Sequence, residues 1–295
     1  MSFADLIRIN ETGEVSLTSL IKEAYKDKRV KPPFDPDDWL RISSIGSICE
    51  REEVLCAKLN VDREEYIDGD SGMNFEHGHA VHWMFQNKIL PTVGVVIGAW
   101  RCTYCGTQYG SRHEGYVPRP ERCGRCGAIA GERPRNSGKP EFIDDHAFVF
   151  VEEWLGNEEH KIGGSPDGQM ILEYNPRYKP SDLTLLEFKS TNDRSFLKIK
   201  DTPDYVHVIQ TQLYMWLTGY PKAKILYFNK NDRGTQGLKE YDLDYDQECV
   251  DRVLNVLSVI RNGITTGIVP PRVVCTTIDC PRAFGCKVKD ACFSE

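Results

Sequence analysis

"GGSPDGQMIL" (163–172) and "LLEFKST" (185–191) decide how the chain is to be read. The second stretch sets an acid, Glu187, and a base, Lys189, inside an otherwise apolar run. In a strand, residues two apart share a face, so Glu187 and Lys189 point together and Phe188 points away. The first stretch offers Asp167 in a Gly-flanked turn that opens another apolar run. If the strand starting at Asp167 neighbours that of Glu187, the two carboxylates meet across the ladder. Two carboxylates with backbone oxygen and water make a hard-oxygen site suited to Mg²⁺ or Mn²⁺. A lysine beside them can orient or deprotonate water and neutralise charge on a phosphate. An inter-strand salt bridge uses the same residues, and Glu-x-Lys alone does not separate the two readings.

Outward from these stretches, the pattern alternates between strand and helix periods. Apolar runs at 146–153, 168–174, 183–189 and 223–229 read as strands. Helical spacing is seen over 75–90, with Val81, Phe85 and Ile89, over 205–219, closed by Gly219, and over 246–263, closed by Gly263. Nearer the N-terminus, 16–28 reads as a short amphipathic helix opened by Ser16, and 31–38 as a Pro-rich connector. A further helix is expected over 43–59, followed by a charged loop to about residue 72. The order is that of a mixed α/β domain.

At 295 residues the chain can bury a sizeable core. No run of 18 apolar residues and no charged leader before an apolar stretch is present, so a cytoplasmic protein with no membrane contact is expected. A net charge of −7 disfavours non-specific coating of nucleic acid but leaves room for an enzyme with local basic patches. Residues 101–139 carry eight Lys/Arg against three Glu.

Eleven cysteines in a reducing compartment point to metal rather than disulfides. Cys102, Cys105, Cys123 and Cys126 form two Cys-x2-Cys pairs, each with a following Gly, separated by 17 residues. That is the pattern of a four-Cys Zn²⁺ site, a zinc ribbon inserted over 101–139 and held apart from the main core. Either it staples a loop poor in apolar residues, or Arg112, Arg119, Arg122 and Arg125 reach nucleic-acid phosphates. The run Cys275, Cys280, Cys286, Cys292 has gaps of four, five and five residues, unlike paired zinc knuckles and closer to iron–sulfur ligation.

Taken together, "GGSPDG…LLEFKST" resembles the core motif of the PD-(D/E)XK nuclease superfamily. "GHAVH" (78–82) resembles the Gly-xxx-His of its RecB-like branch, and "QTQLY" (210–214) the Gln-xxx-Tyr motif of that branch. The resemblance implies a restriction-endonuclease-like mixed sheet flanked by helices. It implies Asp167 and Glu187 as Mg²⁺/Mn²⁺ ligands with His82, Lys189 as the catalytic lysine that assists the attacking water, and Gln210 and Tyr214 as residues supporting substrate placement. The C-terminus resembles the iron–sulfur nucleases of that branch, AddB and the CRISPR-associated exonucleases. In those, an upstream Cys joins three downstream in a [4Fe–4S] clamp of the N- and C-terminal parts. "CEREEVL" and "CPRAFGC" carry this likeness, implying Cys49, Cys275, Cys280 and Cys286. Cys292 remains an alternative ligand, because the family's first pair is spaced by two residues and this one by four. A Zn²⁺ held by the four C-terminal cysteines is a further alternative.

The expected layout is a helical extension over 1–42, the nuclease core over 43–100 and 140–295, and the ribbon over 101–139. The expected function is a metal-dependent DNA exonuclease acting on single strands or duplex ends in recombination, repair or viral DNA processing. A bacterial or phage-infected cell is the expected setting, with a recombination or replication protein as partner and an oligomer allowed. The competing readings are a non-catalytic nucleic-acid-binding or assembly subunit and an RNA-directed nuclease.

Overall fold

A computed structural model describes residues 17–31, 33–130, 146–232 and 235–294. Ser16 and residues 131–139 of the expected insertion lie outside the described residues. The chain divides into two units, one of 39–47 and 81–254, the other of 1–38, 48–80 and 255–295.

The larger unit is built on a sheet whose eight strands are β1 (Val96–Cys102), β2 (Gln108–Tyr109), β3 (Val117–Pro118), β4 (Phe148–Val151), β5 (Gly168–Met170), β6 (Thr184–Thr191), β7 (Lys222–Asn229) and β8 (Leu238–Asp244). Its principal helices are α1 (Gly69–Met84), which begins in the smaller unit, α2 (Asp193–Lys198), α3 (Tyr205–Thr218) and α4 (Gln247–Thr266), which runs back into it. Strand order is β8-β7-β6-β5-β1-β2, with β3 and β4 also paired to β1. Only β6 and β7 run parallel within this sheet. Parallel neighbours need a crossover longer than a hairpin, and α2 and α3 supply it. Asn192 caps α2 through Ser195 N–H, and Asp204 caps α3 through Val206 N–H.

The antiparallel register pairs Gly168 with Leu186, and one further step sets Asp167 opposite Glu187. A buried cluster including Phe85, Trp100, Phe148, Leu186 and Phe188 backs the sheet at this point. Phe188 stacks on Phe85 at 5.4 Å, so the apolar face of β6 is anchored while its other face carries the charged pair.

A separate three-stranded sheet pairs Leu40–Arg41 with Ile162–Gly164, and the latter with Leu155–Asn157. Ile162–Gly164 leads directly into the Asp167 turn. Gly164 has no room for a side chain: a Cβ there would lie 2.5 Å from the Tyr214 hydroxyl oxygen.

In the smaller unit, Asp27–Lys31 pairs antiparallel with Arg63–Ile67, and helix Glu50–Leu59 packs Leu55 and Cys56 against Val288 and Cys292. Arg51, buried, donates to the carbonyls of Pro270 at 2.7 Å and Cys292 at 3.5 Å.

The element pattern departs from the sequence-based reading in identifiable places. Four strands of the main sheet, β1, β2, β3 and β8, fall outside the expected strand stretches, and the two long ones have identifiable reasons. β1 is interrupted in pattern by Gly98, whose missing Cβ makes room for the Phe150 ring at 2.2 Å from where it would stand. β8, "LKEYDLD", reads as polar because it is an edge strand, its acids Glu240 and Asp242 holding Lys224 of β7. The charged loop before residue 72 contains the strand Arg63–Ile67. The expected helix over 43–59 is two pieces, Ile42–Ile45 and Glu50–Leu59, with Cys49 at the cap between them. The helix expected over 75–90 starts at Gly69, passes through a π-helical turn, Phe85–Ile89, and closes with Leu90–Val93. The cysteine knuckles are not held apart from the core. Cys102 ends β1, and Cys102 and Cys123 are buried in the same cluster as Trp100 and Phe148. Among the described residues no helix is long and apolar enough to cross a membrane.

Candidate active site

Asp167, Glu187, Lys189 and Gln210 meet at the β5–β6 junction under α3. Lys189 Nζ donates to Glu187 Oε1 at 2.6 Å and to Gln210 Oε1 at 2.9 Å. Gln210 Nε2 donates to the same Glu187 oxygen at 2.7 Å. Asp167 Oδ2 accepts from the Phe188 N–H at 2.6 Å, which fixes its carboxyl across the ladder. Asp167 Oδ1 lies 3.2 Å from His82 Nδ1 at the end of α1. All four expected sheet and helix residues converge, and His82 reaches the group through Asp167.

Glu187 is 1 % exposed, and its Oε2 is buried with no hydrogen-bond partner. A buried carboxylate oxygen without a donor is costly. Burial, then the neighbouring Asp167 charge, pushes the Glu187 carboxyl up to about 7, against the pull of Lys189. Burial works to lower the Lys189 pKa, but Glu187 and Asp167 outweigh it and hold the ammonium above its ordinary range. His82 follows the same balance: burial opposes its charge, while its bond to Asp167 raises it. Tyr214, 2 % exposed, does not reach Glu187 by any hydrogen bond described. Burial and the two carboxylates keep its hydroxyl well above the usual range, so it stays neutral.

One contributor had no counterpart in the sequence reading. Gln86, buried in the π-helical turn, donates to the Asp167 carbonyl at 2.8 Å and to Glu152 Oε1 at 2.6 Å. His82 and Gln86 are four residues apart, the spacing that puts both on one helix face, and that His-xxx-Gln pattern was the available signal. The π turn holds position because Asn87 Oδ1 accepts from Phe150 N–H at 2.7 Å while its amide donates to Trp83 O.

Cys102, Cys105, Cys123 and Cys126 are the one group of His, Cys, Asp or Glu, among the described residues, whose ligand atoms all lie within 4.8 Å of each other. Sγ separations of 3.6 Å (Cys102–Cys126) and 3.5 Å (Cys105–Cys123) are close to the ~3.8 Å edge of a tetrahedron with 2.3 Å Zn–S bonds. Each knuckle turns on a glycine with positive φ, Gly106 at 74° and Gly127 at 78°, whose N–H bonds back to Cys102 O and Cys123 O. A hydrogen bond from the Tyr109 hydroxyl, then backbone N–H groups, brings the Cys123 thiol down to about 5. Cys126 accepts an N–H from Ala128, yet burial and bonds with the neighbouring thiols push it up to about 12. A cation placed among the four sulfurs would let all of them ionise.

The C-terminal cysteines are arranged more loosely. Cys49, Cys275, Cys286 and Cys292 line one cavity with Arg51 and Arg282, whereas Cys280 lies outside its lining. Cys280 is instead hydrogen-bonded to Cys275; burial, then Cys280, pushes Cys275 up to about 11. These five thiols do not close to the 4.8 Å spacing of the first group.

No protein-family profile matches the sequence, and no curated protein does. Among solved structures, the chain is similar to an alkaline exonuclease (LHK-Exo) from Laribacter hongkongensis, with 13 % identity and a TM-score of 0.40 over 78 % of this chain and 89 % of that one. It is also similar to LHK-Exo in complex with dAMP (17 %, TM-score 0.30, 37 % of this chain) and to SSO0001 (20 %, TM-score 0.25, 41 % of this chain). It spans about half of each of those two chains, 51 % in both cases.

Proposed function

We propose that the chain is a divalent-metal-dependent DNA nuclease of the PD-(D/E)XK kind, acting as an exonuclease in DNA recombination, repair or viral DNA processing. The observation that carries this reading is the unpartnered, buried Glu187 Oε2 beside Asp167, with Lys189 on the same strand face. The salt bridge to Lys189 uses only Oε1, and a divalent cation is a ligand that would satisfy Oε2. Asp167 and Glu187 would hold Mg²⁺ or Mn²⁺, with His82 contributing directly or by orienting Asp167. When bound, such an ion polarises the scissile phosphate and acidifies a water. Lys189 orients the attacking water and stabilises charge on the phosphate oxygens. Gln210 keeps Lys189 and Glu187 in register, Gln86 fixes the Asp167 backbone, and Tyr214 fills the wall behind them.

Purified protein with Mn²⁺ should shorten labelled single-stranded and duplex DNA from their ends, and EDTA should stop it. DNA left intact while RNA is degraded would replace this reading with the RNA-directed one. No hydrolysis of either would leave the assembly-subunit reading.

For the cysteines we propose Zn²⁺ on Cys102, Cys105, Cys123 and Cys126, and a [4Fe–4S] cluster on Cys49, Cys275 and Cys286, completed by Cys280 or Cys292. The tetrahedral sulfur spacing supports the first. The shared cavity supports the second, joining residues near both ends of the chain. Anaerobically purified protein should contain about one zinc and roughly four irons per chain, with visible absorption. Zinc without iron would overturn the cluster. Cys123→Ser should destabilise the protein by roughly 4 kcal/mol, because the knuckles are part of the main core. Unfolding followed by scanning calorimetry checks it, and a melting point equal to the parent's would refute a structural zinc.

A further inference from the structure

The face of β6 that carries Glu187 and Lys189 continues, by the strand's period of two, to Thr191. There it opens into a groove lined by Lys189, Thr191, Ser195, Lys198, Thr202 and His207. The groove has a volume of about 540 Å³, ample for a phosphodiester unit, and is open to solvent. Its wall is rich in hydroxyls and carries Lys198 and, at its inner end, Lys189, which Glu187 already engages, against one acid, Asp204. That carboxylate is engaged at the start of α3, accepting the Val206 N–H at 2.9 Å. His207 is bonded to the Tyr227 hydroxyl at 2.8 Å; burial, then Lys189, brings it down to about 4, so it adds no charge at neutral pH. Thr191 Oγ1 is buried and has no hydrogen-bond partner. An unsatisfied hydroxyl beside a cation and two further hydroxyls suits a ligand rich in anionic acceptor oxygens.

We propose that this groove is a phosphodiester subsite, holding the backbone phosphate next to the scissile one through Thr191, Ser195, Thr202 and Lys198. It rests on the nuclease reading only for the word scissile. As a binding site it stands by itself. The chain of contacts leads a nucleic-acid strand along β6 and past Lys189, so that polymer length, not one phosphate, determines affinity.

The test is binding of a fluorescent oligo(dT) in EDTA, followed by anisotropy across a salt series, alongside Mn²⁺-dependent cleavage. Lys198→Ala should weaken binding about tenfold and reduce the salt slope by about 0.7, the value of one phosphate on a single strand. Thr191→Val, close to isosteric and free of the orphaned hydroxyl, should weaken binding several-fold while melting no lower than the parent. In kinetics, both should lower kcat/KM for the oligonucleotide relative to that for bis(p-nitrophenyl) phosphate, which has nothing to place in the groove. Binding by both variants within twofold of the parent overturns the subsite and leaves the nuclease reading intact. Weakened binding without cleavage by the parent does the reverse. An oligonucleotide that does not bind at all, or inorganic phosphate binding as tightly as the oligonucleotide, also overturns the subsite.

Discussion

Lys189→Met is expected to lower kcat for DNA cleavage by 10²- to 10⁴-fold, the usual contribution of a positioned acid–base group, with DNA binding changed far less. The expectation follows from geometry. Lys189 Nζ is fixed by two acceptors, Glu187 Oε1 and Gln210 Oε1, at 2.6 and 2.9 Å, so it is aimed rather than mobile. Methionine keeps the length and packing of the stem and removes only the charged head. The loss should therefore appear in kcat, while anisotropy with an oligonucleotide reports an intact surface. Glu187 then loses its neighbouring cation, and its carboxyl should titrate still higher than in the parent. Gln210→Ala tests the same arrangement from the other side: the lysine keeps Glu187 but loses its second acceptor, and a smaller drop is expected. If Lys189→Met cleaves at the parent rate, the lysine is a structural counter-ion and the proposed chemistry is wrong.

The acids and the lysine were legible because a strand's alternation forces Glu187 and Lys189 onto one face whatever surrounds them. The turn at Asp167 sits at the matching end of the preceding strand. Gln210 and Tyr214 were reached through the likeness of "QTQLY" to the Gln-xxx-Tyr motif, and helical spacing adds only that the two share a face. Gln86 was missed: it acts on the Asp167 carbonyl, and its one trace in the sequence is the four-residue spacing from His82. The extent of the sheet was also hidden. β1 is broken in pattern by a glycine that exists to admit Phe150, and β8 reads as polar because an edge strand faces water. The cysteine knuckles looked like a separate insertion from their Gly- and Arg-rich composition. Their burial with Trp100 and Phe148 depends on β1 delivering Cys102 into the core, and β1 itself went unread.

Stability should depend on pH in a direction opposite to that of most carboxylates, and Mn²⁺ should reverse it. Glu187 has its folded-state value raised from 4.5 to about 7. The folded chain therefore binds this proton more tightly than the unfolded one, so the contribution is fully present below 4.5 and is lost as pH rises through 7. That span corresponds to about 3 kcal/mol at most, borne by the ionised, buried carboxylate. In EDTA the melting point should fall between pH 5.5 and 8, by roughly 2–4 °C per kcal/mol. Glu187→Gln removes the charge but keeps an oxygen for Lys189 and Gln210, so it should flatten this profile and melt higher than the parent at pH 8. Added Mn²⁺ should raise the parent's melting point at pH 8 more than at pH 6, since the metal competes with the proton for Glu187. The variant should show little of this rise and no cleavage. A parent profile that is flat in EDTA, with no Mn²⁺-dependent shift at either pH, would mean that Glu187 is satisfied as it stands. The orphaned oxygen on which the nuclease reading rests would then have no ligand to wait for.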